Sequence, residues 1–358
     1  MLKKKRLLSL DVLRGITVAG MILVNNSGGS FTYAPLKHAV WNGITPCDLI
    51  FPFFLFIMGI STYISLKKFD FNASSDTLRK IAKRTLVILA IGWGIHWFGH
   101  LCKGEFFPFE QLRLTGVMTR IALCYGVVSV IAVFVNHKYI IPLILVLLGG
   151  YSFLLIYGNG YNNDETNLLT VIDRYLIGSA HLYGKSPIDP EGLISTISAL
   201  AHTLIGFCCG AVIMRGKEVE TKVMQLFLVG FVLLAMGWLV SYGLPLNKRI
   251  WSPSFTLVTC GAASALLALL MYFIDIKKKD KWCTFFLIFG VNPLFLYVFS
   301  EVLAIVFSRL EINTLLYGAI HFVIGNPYIS SLIYALLFTA ILGSMGYMLY
   351  KRKIYIKI

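Results

Sequence analysis

Charged residues are scarce in this chain of 358 residues. Asp, Glu, Lys and Arg together make up 14% of the sequence and hydrophobic residues 57%, whereas a soluble protein carries about 25% charged residues. Acidic residues are scarcer than basic ones. The chain has 17 Asp and Glu and 32 Lys and Arg, so its net charge is +15. This composition excludes an ordinary soluble domain, a disordered chain and a nucleic-acid-binding module. It predicts a polytopic membrane protein with no nucleic-acid partner.

The sequence also lacks the common motifs of soluble enzymes. It contains no P-loop, no Gly-x-Ser-x-Gly nucleophile turn, no dinucleotide fingerprint and no zinc motif. The seven cysteines show no metal-ligand spacing, so we expect them to fill apolar space, with a disulfide between Cys47 and Cys102 left open. His96 and His100 share a helix face as metal ligands would, but the tryptophans beside them favour an aromatic belt at the membrane interface. We therefore expect no metal site.

Long apolar segments fill most of the chain. A membrane-spanning helix needs about 20 mostly apolar residues. About ten such segments lie near 7–27, 47–66, 82–101, 116–136, 139–157, 192–214, 223–244, 252–275, 283–307 and 327–350. Because the connections are short, residues 1–358 are predicted to form one all-α transmembrane bundle. The basic N-terminus resembles a signal peptide, but Asp11 and Arg14 interrupt the apolar stretch and no cleavage site follows, so we expect a retained first helix.

The basic residues predict the orientation of the bundle. Of the 32 Lys and Arg, 22 fall at alternate ends of the predicted spans, on the side of the basic run at residues 3–6. Since basic residues accumulate in cytoplasmic loops, both termini are predicted to be cytoplasmic and the protein to lie in the cell's inner membrane. The loops 28–46 and 158–191 then lie outside. The second loop is long and acidic, which is typical of either a functional loop or a solvated cap.

An amide, an imidazole and a carboxylate gather at the predicted outer end of the first two spans. Asn25 ends the first span, His38 lies in the following loop, and Asp48 opens the second span. Histidine is a common general acid or base near neutral pH, and it needs a partner that fixes its tautomer. Asp48 is suited to that role. The alternatives are an interfacial loop histidine and an Asp48 that only caps its helix.

Further polar residues lie in or near the spans, where lipid makes them costly. Asp11 and Arg14 are three residues apart on one helix face, so they either form a self-contained ion pair or present Arg14 to an anionic ligand from the cytoplasm. Glu301 lies deep in an apolar segment, four residues after Tyr297, which could satisfy it. The remaining members of this group are Arg113, Arg120, Asn247, Trp251, Ser254 and Asn292.

Short motifs along nearly the whole chain resemble the heparan-α-glucosaminide N-acetyltransferase family. In order they are LDVLRG at 10–15, VN at 24–25, HAVWNG at 38–43, DLIFP at 48–52, FIMG at 56–59, GVMTRIA at 116–122, IDR at 172–174, HLY at 181–183, DPEG at 189–192, NK at 247–248, WS at 251–252, and Asn292 with Tyr297 and Glu301. The resemblance implies a transmembrane acetyltransferase. It implies that acetyl-CoA, as co-substrate, binds from the cytoplasm and that its acetyl group passes to an amino sugar on the far side.

The resemblance also implies roles for single residues. His38 matches the essential histidine of the family, and Asn25 and Asp48 match its asparagine and aspartate. His38 would act as general base or accept the acetyl group itself, Asp48 would orient the ring, and Asn25 would donate a hydrogen bond to the oxyanion. We expect acetyl-CoA to contact Arg14, Arg120, Trp41, Trp251, Ser254, Asn292 and Tyr297.

Other functions are compatible with the same polar pocket. The protein could be an amino-sugar permease without chemistry, or an acyltransferase acting on hydroxyl groups of an envelope polysaccharide. Two extra residues separate Asn25 from His38 relative to the lysosomal members, which bears on the choice of acceptor sugar. Membrane lipids are expected partners, and a homodimer is left open.

Overall fold

The computed structural model describes residues 7–215 and 218–356, and this part of the chain is all helical, without β-strands. The basic residues at 3–6, 217 and 357, which contribute to the predicted orientation, lie outside the described residues. The described residues form 13 helices: α1 Leu8–Asn25, α2 Pro46–Leu66, α3 Ser75–Leu101, α4 Val117–Phe134, α5 Ile140–Tyr157, α6 Leu168–Ile177, α7 Thr196–Met214, α8 Val219–Ser241, α9 Pro253–Met271, α10 Cys283–Gly290, α11 Pro293–Arg309, α12 Ile312–Ile324 and α13 Pro327–Lys351.

Eight helices of the described chain are long and apolar enough to cross a membrane, namely α1, α2, α4, α5, α7, α8, α9 and α13. The helices α10 and α11 meet at an angle of 75° and would add a ninth span if they cross as one. The expected third span lies in α3, which is not among the eight because Arg84, His96 and His100 interrupt its apolar residues. All ten segments expected from the sequence are thus helical, and the protein is a multi-pass membrane protein. The exact number of spans stays a prediction.

The helices separate into an inner and an outer set. Most residues of α2, α7 and α9 are buried inside the protein, whereas α5, α8 and α13 bury only a minority of theirs. The outer helices expose large apolar side chains, among them Phe153, Phe231 and Leu337. We expect lipid to contact these faces, since apolar surface of this extent is stable only in an apolar environment.

The segments that connect the helices lie at two opposite ends of the bundle. At one end, which we call the basic end, the Lys67 ammonium donates to the Met214 carbonyl at 3.0 Å, and the Ser9 hydroxyl donates to Asp275 at 2.6 Å. The other end, which we call the loop end, carries the connections 26–45, 102–116, 158–195 and 242–252. Both loops predicted to lie outside are at the loop end. The side of the membrane that each end faces stays a prediction.

Glycines set the distance between the two inner helices α2 and α7. A Cβ atom on Gly59 would lie 2.1 Å from the carbonyl oxygen of Thr203, and one on Gly206 would lie 2.3 Å from that of Phe56. No side chain fits at such distances, so the two backbones are in direct contact, as is common where membrane helices cross. This contact holds α2, which carries Asp48, against the centre of the bundle.

We therefore expect Gly206→Ala to lower the stability of the protein. The added methyl group must push α2 and α7 apart, and overpacking of this kind costs about 1–3 kcal/mol. Thermal unfolding in detergent measures the effect. The control is Gly149→Ala in α5, where a Cβ meets no atom within 4 Å. An unchanged unfolding midpoint for Gly206→Ala would contradict the close contact.

Candidate active site

His38 and Asp48 form a hydrogen-bonded pair at the loop end. The Asp48 side chain is fully buried, whereas half of the His38 side chain is exposed. The distance from His38 Nδ1 to Asp48 Oδ1 is 2.7 Å. Because an ionised carboxylate can only accept hydrogen bonds, Nδ1 carries the hydrogen and Nε2 is left as an acceptor. This tautomer is assigned from the hydrogen-bond network, and it is the one that a general base requires.

The other oxygen of Asp48 holds the backbone in place. Oδ2 accepts hydrogen bonds from the amides of Ala39 and Thr45, each at 3.1 Å, and from the Thr45 hydroxyl at 3.0 Å. Thr45 and Asp48 together form a capping box at the start of α2. Asp48 is therefore the partner of the ring through one oxygen, and through the other it belongs to the capping box. The N-cap residue itself is Thr45, so the interpretation of Asp48 as the N-cap is wrong.

Two further side chains reach the same nitrogen of His38. The Lys248 ammonium lies 3.0 Å from His38 Nδ1 and 3.4 Å from Asp48 Oδ1. The Cys47 sulfur lies 3.1 Å from Nδ1. All seven cysteines lie in the described part of the chain, and all are free, so Cys47 and Cys102 are not bridged. Sequence reasoning did not single out Lys248 as a site residue, although it belongs to a motif shared with the family.

Asn25 is bonded to a partly buried carboxylate. The Asn25 side chain is hydrogen-bonded to Glu301, which is also hydrogen-bonded to Tyr297. Tyr297 thus satisfies Glu301 as its spacing predicted, and Asn25 is the additional partner. Asn25 also lines a cavity together with His38.

His38 lies between two cavities. The loop-end cavity, of about 230 Å³, is lined by His38 together with Asp48, Glu191, Lys248 and Trp251. The central cavity, of about 140 Å³, is lined by residues that include His38, Asn25, Cys47, Glu191, Lys248 and Tyr297. The imidazole therefore borders both cavities.

A third cavity lies on the basic-end side of the central one. This Arg14 cavity, of about 210 Å³, is lined by Arg14, Ser61, Arg84 and Tyr125 among others. Arg14 donates to Asp11 at 2.8 Å and to Ser61 at 2.9 Å, and the Arg84 guanidinium lies 4.5 Å above the Tyr125 ring. The predicted pairing of Asp11 with Arg14 is confirmed, and Arg14 faces a cavity as well.

The central cavity and the Arg14 cavity are stacked along three helices. Their linings include Phe51 and Phe54 on α2, Val117 and Ile121 on α4, and Tyr297 and Pro293 on α11. Residues three or four apart lie on one face of a helix, about one turn from each other. The two cavities therefore follow one another between the same helices, on a line from the Arg14 guanidinium to the His38 ring.

Four of the residues expected to contact acetyl-CoA do not line these three cavities. Arg120 is buried, donates to the Gly192 carbonyl at 3.1 Å and lies 4.9 Å above the Trp251 ring. Trp41 donates to the Tyr161 carbonyl at 2.8 Å. Ser254 is buried 3.0 Å from the Ser252 hydroxyl, and Asn292 donates to the Ile354 carbonyl at 2.9 Å. Their contacts with acetyl-CoA stay predictions.

Most acidic residues of the second long loop support its fold. Asp189 and Glu191 both accept hydrogen bonds from Arg113, at 2.9 and 3.0 Å. Burial alone would lower the pKa of Arg113, but the two carboxylates outweigh it and raise that pKa above its ordinary value. Burial also raises the pKa of Asp173 to about 6, although the Ile194 amide donates to it. Glu191 is the member of this group that reaches the cavities beside His38.

His96 and His100 do not gather a third metal ligand. Within residues 7–215 and 218–356, no group of three His, Cys, Asp or Glu side chains is placed to hold a metal ion. His96 instead lines a small cavity shared with Arg113, Glu191 and Glu301.

The chain is similar in sequence to known proteins. Residues 6–171, which include Arg14, Asn25, His38 and Asp48, match the family model of the heparan-alpha-glucosaminide N-acetyltransferase catalytic region. The heparan-alpha-glucosaminide N-acetyltransferases of Homo sapiens and Mus musculus are 28% and 26% identical to this chain over 99% of its length. The chain spans about 60% of the length of these relatives. It is thus similar to heparan-alpha-glucosaminide N-acetyltransferases along nearly its whole length, which confirms the family resemblance seen in its motifs.

Proposed function

We propose that this protein is a transmembrane acetyltransferase, which moves the acetyl group of acetyl-CoA to the amine of a glucosamine-type sugar. The observation that carries the proposal is the position of His38. Its ring, oriented by Asp48, borders a cavity at the loop end and a central cavity, and the Arg14 cavity follows the central one between the same helices. A base between two ligand sites is what transfer between two substrates requires. The names of the relatives support the reaction class.

Acetyl-CoA would enter from the basic end. Its nucleotide is strongly anionic, and guanidinium groups bind phosphate oxygens through charge-assisted, often bidentate hydrogen bonds. The guanidinium groups of Arg14 and Arg84 line the Arg14 cavity. The apolar pantetheine arm would then follow the stacked faces of α2, α4 and α11 and bring the thioester to the central cavity. Since basic residues mark cytoplasmic ends, the donor would come from the cytoplasm and the sugar from the opposite side.

The chemistry would then use two residues that line the central cavity, His38 and Asn25. The amine nitrogen attacks the thioester carbonyl carbon while His38 Nε2 takes a proton from it. The Asn25 amide, which lines the central cavity, would donate a hydrogen bond to the oxyanion of the tetrahedral intermediate. The carbon–sulfur bond breaks, and the imidazolium returns the proton to the leaving thiolate of CoA. We favour this route over an acetylated His38.

We expect His38→Ala to remove acetyl transfer while acetyl-CoA still binds. Loss of a general base lowers a rate about 10²–10⁴-fold, whereas the arginines of the donor site are untouched. Transfer of labelled acetyl from acetyl-CoA to glucosamine measures activity, and a filter assay measures donor binding.

The matched control for that experiment is His321→Ala. His321 lies on α12 with its ring near the Ser330 hydroxyl, and it lines neither of the cavities that His38 lines. Normal turnover by His38→Ala would refute the assignment. Uptake of unmodified glucosamine into proteoliposomes without acetyl-CoA would support a permease instead, and transfer to sugar hydroxyls alone would support an O-acyltransferase.

We expect Arg14→Gln to weaken the binding of acetyl-CoA and to leave kcat nearly unchanged. A charge-assisted hydrogen bond contributes about 1.5–3 kcal/mol, so the KM for acetyl-CoA should rise about tenfold or more. The KM for the sugar should stay the same. The control is Arg174→Gln, since Arg174 pairs with Glu165 in the second long loop. A rise in the sugar KM alone would place the donor elsewhere.

The route through His38 can be tested without an acceptor. Protein incubated with labelled acetyl-CoA alone should carry no label on the His38 peptide, because the general-base route forms no bond between the ring and the acetyl group. Mass spectrometry of the His38 peptide after rapid acid quench makes the measurement. Acetyl label on that peptide, which disappears on addition of glucosamine, would overturn this route in favour of a covalent one.

A further inference from the structure

We infer that Lys248 is a positioning residue of this site, whose ammonium balances the charge of Asp48 and so keeps the His38 ring uncharged and able to accept a proton. This inference rests on the proposed acetyl transfer only for its activity readout. The charge balance itself is a property of the three side chains.

The distances define a compact three-membered cluster. Asp48 Oδ1 lies 2.7 Å from His38 Nδ1 and 3.4 Å from Lys248 Nζ, and Nζ lies 3.0 Å from Nδ1. An ammonium group can only donate, so Nδ1 either donates to Asp48 or accepts from Lys248. The two arrangements leave opposite tautomers, and only the first leaves Nε2 able to take a proton. The shorter contact, with a buried carboxylate, favours the first arrangement.

The charge of Asp48 makes a balancing cation necessary. Asp48 is fully buried and accepts hydrogen bonds from two backbone amides and one hydroxyl, which together favour its ionised form. A lone carboxylate at 2.7 Å would attract a second proton to the ring, and an imidazolium cannot act as a base. The ammonium of Lys248 opposes that attraction at the same oxygen. Because the cluster is only partly exposed, solvent screens these charges incompletely.

The position of Lys248 is fixed by the turn that carries it. Asn247 is buried, and its Oδ1 accepts from the amides of Arg249 and Ile250 at 2.8 and 3.2 Å. Its Nδ2 donates to Asn42 at 3.2 Å, and the Gly43 amide donates to the Leu246 carbonyl at 2.7 Å. The turn is thus hydrogen-bonded to the loop that contains His38. These hydrogen bonds hold the backbone of Lys248 near Asp48.

Other charged or titratable groups surround the ring, and all of them are retained when Lys248 alone is replaced. They are Cys47 and Asp48 on α2, Tyr183 and Glu191 from the second long loop, Arg249 beside Lys248, and Tyr297 with Glu301 from α11. Lys37 precedes His38 in the chain but is exposed and lines neither of the two cavities that His38 lines. A change in the pH profile on replacing Lys248 therefore reports the charge of Lys248.

The test compares Lys248→Met, which removes the charge but keeps the length of the side chain, with Lys248→Arg, which keeps the charge. We expect Lys248→Met to displace the acidic limb of the pH profile upward by about one unit, so that transfer activity falls by up to about tenfold on that limb and recovers as the assay pH is raised. Lys248→Arg should keep the profile of the unmodified protein. Lys37→Met removes a charge from the same loop and should leave the profile in place.

A second readout does not need acetyl transfer. Diethyl pyrocarbonate modifies the neutral imidazole, so the rate at which the His38 peptide is modified, followed by mass spectrometry against pH, reports the charge state of the ring directly. The same upward displacement is expected for Lys248→Met and not for Lys248→Arg. If no variant or parent transfers acetyl but the modification profile still shifts, the proposed function fails and the role of Lys248 stands. An unshifted modification profile in Lys248→Met overturns the role of Lys248, whatever its activity.

Discussion

The loop end of the bundle is organised around the buried carboxylate of Asp48. A charge without contact with water must be satisfied from every side, and each of its oxygens recruits a different part of the chain. Oδ2 fixes the start of α2 and the loop before it, whereas Oδ1 meets His38 and Lys248. Two segments that are 210 residues apart in the chain thus meet at one oxygen. The helix cap, the ring orientation and the local charge balance are consequences of the same burial.

The scarcity of charge explains how the rest of the site is built. Several charges in or near the bundle are used to fix elements in place, as when Arg113 joins Asp189 and Glu191, or Arg120 reaches the Gly192 carbonyl. Since a charged group in an apolar interior is costly unless it is paired, few charges remain to line cavities. Arg14 and Arg84 line the cavity on the basic-end side of His38, whereas Asp48, Glu191, Lys248 and Arg249 line the loop-end cavity.

Much of the candidate site could be predicted from the sequence, because its parts lie close together in the chain. His38 and Asp48 are ten residues apart, and Asp11 and Arg14 are on adjacent turns of α1, so spacing alone suggested both pairs. Lys248 and the bond between Asn25 and Glu301 could not be predicted in this way. They join helices from distant parts of the chain, and their contacts depend on how α1, α2, α9 and α11 pack against one another.

The sequence by itself determined the class of the protein. Hydropathy over windows of about 20 residues follows from the transfer of each segment out of water, so the positions of all ten helical segments could be predicted from it. Basic residues at the ends of those segments predict an orientation, because they accumulate on the cytoplasmic side of membranes. Only the tertiary structure decided which polar groups meet, because that depends on the approach of backbones such as α2 and α7 at Gly59 and Gly206. It placed His38 between two cavities, brought Lys248 to Asp48, and assigned Arg120 to a buried contact beside Trp251.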